Sequence, residues 1–196
     1  MGKLLICTAI VFLAVSLSMA APAVTDPCRG EALNATMVRC MTENGFTMAQ
    51  ISKLIPSSSG AISFSGADFS AFCNNREGYY KASSCIVDEM TRCQLTNVLV
   101  HLNINNTAKA MNMICDDPSF KTDCLTLLAK DPLVLQSCLT TKYDFAKEME
   151  TKPLQQVTCE SAKIAVQCSV DILKTCDQHT ATVFGSAQDL VVPSVC

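Results

Sequence analysis

The chain has 196 residues, of which 49% are hydrophobic, only 17% are charged and 13 are cysteines, with a formal net charge of −3. A weakly acidic chain with scattered charges argues against a nucleic-acid binder, which carries a basic stripe, and against a polybasic membrane patch. Cysteine at this density points to an oxidising compartment and a disulfide framework.

Residues 1–20 read as a secretory signal. Lys3 supplies the positive start, Leu4 to Leu17 form an apolar run broken only by Thr8 and Ser16, and Ser18-Met19-Ala20 fits the small-x-small cleavage rule. The run is short of the roughly 20 residues that a membrane span needs. No later stretch is long and apolar enough to cross a bilayer, and Leu190-Val191-Val192 is too short for a lipid-anchor signal. Cleavage after Ala20 takes Cys7 and Lys3 with it, leaving 176 residues, 12 cysteines and a net charge of −4. The expected mature protein is secreted and has no membrane span. Asn34-Ala35-Thr36 and Asn105-Asn106-Thr107 are N-glycosylation sequons, so Asn34 and Asn105 are expected to face solvent. The absence of any Lys-Arg or Arg-Arg pair weakens a peptide-hormone precursor.

The elements in chain order are helical by periodicity. Leu33, Met37, Cys40 and Met41 mark a first helix. Residues 56–66 are Ser/Gly-rich and read as a loop, with a short hairpin at Ala61-Ile62-Ser63-Phe64 as the alternative. Ile86, Met90 and Cys93 mark a further helix, which Leu95, Val98, Leu99 and Leu102 continue after a small shift. Leu125, Leu128, Leu133 and Leu135 suggest one or two short helices around Pro132. Thr158 and Glu160 suit a helix start, and Ala165, Cys168, Ile172 and Cys176 form the stripe of that helix. Pro118, Pro132, Pro153 and Pro193 fall where helices should break. Alternating strand patterns are scarce. The expected fold class is all-α, stapled by disulfides.

Two stretches organise the cysteines: Cys85-Ile-Val-Asp-Glu-Met-Thr-Arg-Cys93 and Cys168-Ser-Val-Asp-Ile-Leu-Lys-Thr-Cys176. Each has seven residues between its cysteines and the same Val-Asp pair, Val87-Asp88 and Val170-Asp171. Cys28, Cys40, Cys73, Cys85, Cys93 and Cys115 leave gaps of 11, 32, 11, 7 and 21 residues. Cys124, Cys138, Cys159, Cys168, Cys176 and Cys196 leave 13, 20, 8, 7 and 19. The recurring order points to an internal duplication, and the Ser/Gly-rich loop accounts for the one large mismatch. The expected layout is residues 1–20 signal, 21–118 first six-cysteine module and 119–196 second. Eight residues of helix rise about 12 Å, beyond the roughly 7 Å between Cα atoms that a disulfide tolerates. The two cysteines of each stretch therefore bond outward, and duplicated modules are expected to close within themselves. Each half then has 15 possible connectivities.

Catalytic signatures are missing. There is no Gly-x-Ser-x-Gly, no His-Glu-x-x-His and no phosphate-cradling glycine loop. His101 and His179 could act as an acid–base pair, as in some secreted nucleases, but a lone histidine near a helix end is more often solvated or a capping partner. Asp88 and Asp171 hold equivalent places, which suits one structural role used twice better than an acid and a base. With no Cys-x2-Cys knuckle, a zinc site gives way to disulfides. No cofactor is expected. Met37, Met41, Met48, Met90, Met111 and Met113 fill irregular cores or line adaptable apolar pockets.

Cys73, Cys85 and Cys93 are similar in spacing to the last three cysteines of insect odorant-binding proteins, but the Cys-x-x-x-Cys of that family has no counterpart in either half. At Cys28 and Cys40, Cys85 and Cys93, Cys138-Leu139, and Cys168 to Cys176 followed by Phe184, the chain resembles a nematode-type secreted cysteine-rich helical domain of unknown function. That resemblance implies a secreted helical fold and assigns no activity. The expected function is extracellular binding without catalysis, of a small apolar ligand or a protein. The alternatives are a secreted effector such as a toxin or defence protein, and a secreted hydrolase using His101 or His179.

Overall fold

The computed structural model describes residues 31–54, 66–92, 104–130 and 132–192. Among these residues the protein is all-α, with no strand. The first half holds α1 (Glu31–Glu43), α2 (Met48–Leu54), α3 (Gly66–Asn74), α4 (Arg76–Arg92) and α5 (Ile104–Cys115). The second holds a 3-10 turn (Thr122–Leu125), α6 (Thr126–Lys130), α7 (Pro132–Lys142), α8 (Phe145–Thr151), α9 (Leu154–Lys174) and α10 (Gln178–Val191).

Local chemistry sets the helix ends. Gly45 has a φ of 87°, which lets α1 end in a left-handed residue. The Gly45 amide then donates to the Thr42 carbonyl at 3.2 Å and the Phe46 amide to Met41 at 3.1 Å. Thr47 and Gln50 open α2 as a reciprocal capping box. The Thr47 amide donates to Gln50 Oε1 at 2.8 Å, and the Gln50 amide to Thr47 Oγ1 at 3.3 Å. Asn75 separates α3 from α4 and accepts the Gly78 amide at 3.2 Å on its side-chain oxygen. Asp144 and Asp177 cap α8 and α10 in the same manner, accepting the Lys147 and Thr180 amides.

Four disulfides between described residues staple the helices. Cys40–Cys85 joins α1 to α4, and Cys73–Cys115 joins the ends of α3 and α5. Cys124–Cys176 joins the 3-10 turn to the residue two beyond α9, and Cys138–Cys168 joins α7 to α9. All four lie within a half, and none pairs the two cysteines of one repeated stretch. Cys159 is also disulfide-bonded; Cys28, Cys93 and Cys196 lie outside the described residues.

The hydrophobic core, in contrast, runs through both halves. Met37, Met41, Ile51, Phe69, Phe72 and Ile86 form one buried cluster with Phe120, Leu125, Leu128, Leu173, Ala181, Phe184 and Val191. α5 packs along α10, and α3 packs on the 3-10 turn. Phe120, in the connection between halves, stacks on Phe69 with ring centroids 6.3 Å apart. A boundary at residues 118–119 therefore divides the observed disulfides but not the core.

The short helices expected around Pro132 are present as α6 and α7, and four details differ from expectation. α9 begins at Leu154, four residues before Thr158, because Pro153 at φ −58° already supplies the entry angle. Its buried face is Val157, Cys168, Ser169 and Leu173, whereas Ile172 is half-buried and Cys176 is exposed beyond the helix end. Leu133 stands 69% exposed at the start of α7, while Leu125, Leu128 and Leu135 are buried. Of the methionines, Met37, Met41 and Met111 fill the core, and Met48 and Met113 are exposed. The hairpin alternative at 61–64, the stripe from Leu95 to Leu102 and the side chain of Met90 lie outside the described residues.

Candidate functional site

The candidate site is a groove of about 650 Å³ between the long helices α9 and α10. Antiparallel packing of two helices leaves such a furrow wherever the residues at the contact are small. Here they are Ala181 and Gly185 on α10, against Val166 and Val170 on α9. A Cβ at Gly185 would meet Val170 Cγ2 at 3.0 Å, so glycine sets the closeness of the two helices. Val166, Val170, Ala181 and Val192 give an apolar floor. Lys163, Gln167, Thr182, Ser186 and Asp189 form a polar rim bearing both signs of charge. The groove is partly open to solvent, and its volume is within the range of ligand sites.

The sequence-derived candidates fall elsewhere. His101 lies outside the described residues. His179, half-exposed at the start of α10, makes a 2.8 Å contact through Nε2 with Asp117 Oδ2. The Ser119 amide, ahead of His179, holds the Asp117 carboxyl below its ordinary range. Neither residue lines the groove. Beside them Lys121 Nζ reaches Asp177 Oδ2 at 2.7 Å, its amide donates to Thr180 Oγ1 at 3.0 Å, and the Thr180 hydroxyl donates to Asp177 at 2.9 Å. The Lys121 ammonium and the two Thr180 donors hold Asp177 far below the usual carboxylate range. These contacts tie the connection between the halves to the start of α10, and each donor in them serves the fold.

Asp88 and Asp171 differ in use. Asp88 is exposed. Asp171 accepts from Lys142 at 2.9 Å, Lys174 at 3.1 Å and Gln167 at 3.0 Å, which lowers its carboxyl to about 2. In the first half the corresponding cross-helix link is made one residue later, by Arg39 and Glu89 at 3.1 Å. Each link accompanies the disulfide between the same two helices, so the role is structural in both halves.

A second polar cluster closes the turn from α8 to α9. Lys152 Nζ bridges Glu148 and Glu160, both at 2.7 Å, and the Tyr143 hydroxyl donates to Glu160 Oε2 at 3.0 Å. Burial, then the Glu160 carboxylate, pushes the Tyr143 phenol up to about 12. The ammonium of Lys152 holds Glu160 down. A phenol so raised is a poor nucleophile near neutral pH, and the carboxylates are already paired. Sequence periodicity missed this cluster because its members lie on three separate elements. It also missed the groove, whose small residues carry no strong sequence signal.

Asn105 is exposed in the first turn of α5, whereas Thr107 of the same sequon is 4% exposed; the side chain of Asn34 lies outside the described residues. Among the described residues no three His, Cys, Asp or Glu side chains are grouped to hold a metal, and no helix is long and apolar enough to cross a membrane. No family model, curated protein or solved structure matches the chain.

Proposed function

We propose that this is a secreted, non-enzymatic binding protein that recognises an extracellular protein partner through the groove between α9 and α10. The observation that carries this reading is the groove's form: a floor of Val166, Val170, Ala181 and Val192 under a rim of mixed charge, partly open to solvent. An open furrow suits side chains presented by a polypeptide, whereas a small apolar ligand is held by burying most of its surface. The disulfide staples and the signal-like residues 1–20 support an extracellular setting. A small-ligand carrier is the second reading, favoured by the groove's volume.

The test uses the full chain expressed in a eukaryotic secretory host. The expected product is in the medium, begins at Ala21, and loses mass on enzymatic removal of N-glycans. A photo-crosslinking residue at position 186 should then give a discrete protein adduct in native extracellular fluid. Excess wild-type protein should compete that adduct away, and Ser186→Trp, which fills the furrow, should not. Competition by both proteins would place binding outside the groove. A stoichiometric lipid found on the purified protein by native mass spectrometry would overturn the protein-partner reading in favour of the carrier.

A further inference from the structure

The observed disulfides define one repeating pattern once the cysteines of each half are counted one to six. The first half shows second-to-fourth, Cys40–Cys85, and third-to-sixth, Cys73–Cys115. The second half shows first-to-fifth, Cys124–Cys176, and second-to-fourth, Cys138–Cys168. The shared second-to-fourth bridge falls between equivalent helices, α1 with α4 and α7 with α9. The other bridges do not conflict: each half displays the one that the other leaves open. We infer that both halves carry a single framework, first-to-fifth, second-to-fourth and third-to-sixth, completed by Cys28–Cys93 and Cys159–Cys196.

Two further observations support this. Cys159 is disulfide-bonded, while the other eight described cysteines are paired among themselves. Its partner must therefore come from outside the described residues, and the third-to-sixth rule selects Cys196. If each half closes on itself, its six cysteines can pair in 15 ways, and two unrelated halves would reach the same framework in only about one case in 15. The elements repeat with the bridges: a helix bearing the second cysteine, a seven-residue helix, helix bearing the third and fourth, and a closing helix. The third and fourth cysteines occupy α3 and α4 in the first half and the single helix α9 in the second. A shared framework on repeated elements is the mark of duplication followed by divergence. Each closure joins two thiols by exchange with a disulfide oxidant such as glutathione disulfide, which leaves as two thiols while the two sulfurs form one bond.

Peptide mapping of the oxidised, deglycosylated protein tests the inference. Trypsin places every cysteine of the mature chain on its own peptide except Cys176 and Cys196, which a second cut after Phe184 separates. Under non-reducing conditions peptide 21–29 should be linked to 93–109, and 148–163 to 185–196. A bridge from Cys28 to Cys196 or from Cys93 to Cys159, a bridge crossing the halves in any other way, or free thiols at these positions would overturn it. Cys196→Ser should leave one titratable thiol, on peptide 148–163; protection of that thiol would count against the pairing without depending on the wild-type map.

Discussion

Gly45 and Asp177 show how much of this fold is decided by single residues at helix ends. At φ 87° Gly45 occupies the region that L side chains disfavour by roughly 1–2 kcal/mol. Gly45→Ala should therefore destabilise the protein by about 1 kcal/mol in denaturant unfolding, with the m-value unchanged; no change would mean that the turn relaxes freely. Gly78 is required for a different reason, since a Cβ there would collide with the Asn44 carbonyl oxygen. Asp177 adds a pH dependence. Its carboxyl, like those of Asp171, Glu160 and Asp117, is lower in the folded protein than in the unfolded chain. The stabilisation from such groups is complete above the ordinary carboxylate range near pH 4, and it is lost as pH falls from there through the folded-state values. Melting temperature should be level from pH 7 to about pH 5 and drop below pH 4. Asp177→Asn should lower it at pH 7 and flatten the acid drop; an equally steep drop would show that other carboxylates carry the effect.

At the scale of elements, the pairing of α9 with α10 matters most, because it forms both the groove and part of the core. Leu173 is fully buried on α9, so Leu173→Ala should cost about 2–5 kcal/mol by transfer and cavity terms. Gly185→Val places branched carbon against Val170 at a contact that is already tight. That variant should widen the helix pair, lowering stability by about 1–3 kcal/mol, whereas Ser186→Trp on the exposed rim should leave the melting temperature within a few degrees of wild type. The contrast separates the part of the groove that is structural from the part free to bind. If Ser186→Trp were as destabilising as Gly185→Val, position 186 would be packed rather than open.

For the whole molecule, disulfides and core divide the chain differently. The observed bridges close within halves, while the buried cluster runs from Met37 to Val191. A shared core makes the halves melt together, so thermal unfolding should be one transition, equal by calorimetry and by far-UV dichroism. Phe120→Ala, at the junction, should lower that single transition by about 3–5 kcal/mol of stability. Two resolved transitions, only one of them moved by Phe120→Ala, would show that each half is stable alone. Replacing Cys138 and Cys168 together with serine should cost about 2–4 kcal/mol, and the same change at Cys40 and Cys85 a similar amount.

The sequence by itself determined the helical class, the helix breaks at Pro118, Pro132 and Pro153 and the outward bonding of Cys85, Cys168 and Cys176. Those follow from short-range physics: the 3.6-residue period, the missing amide of proline, and the rise of a helix against the reach of a disulfide. The capping box at Thr47 and Gln50 and the cap at Asp177 emerged from the structure, although each is built within four residues. Other features were decided only by the tertiary structure. These are which cysteine meets which, the rotation that buries Leu173 in place of Ile172, the exposure of Leu133, the placing of His179 against Asp117, and the groove. Each depends on residues from different elements arriving at one place, and periodicity along a single helix carries no record of its neighbour's position. The same holds for the core: the spacing of the cysteines predicts two units, whereas packing of α5 along α10 places residues from both parts of the chain in one buried cluster.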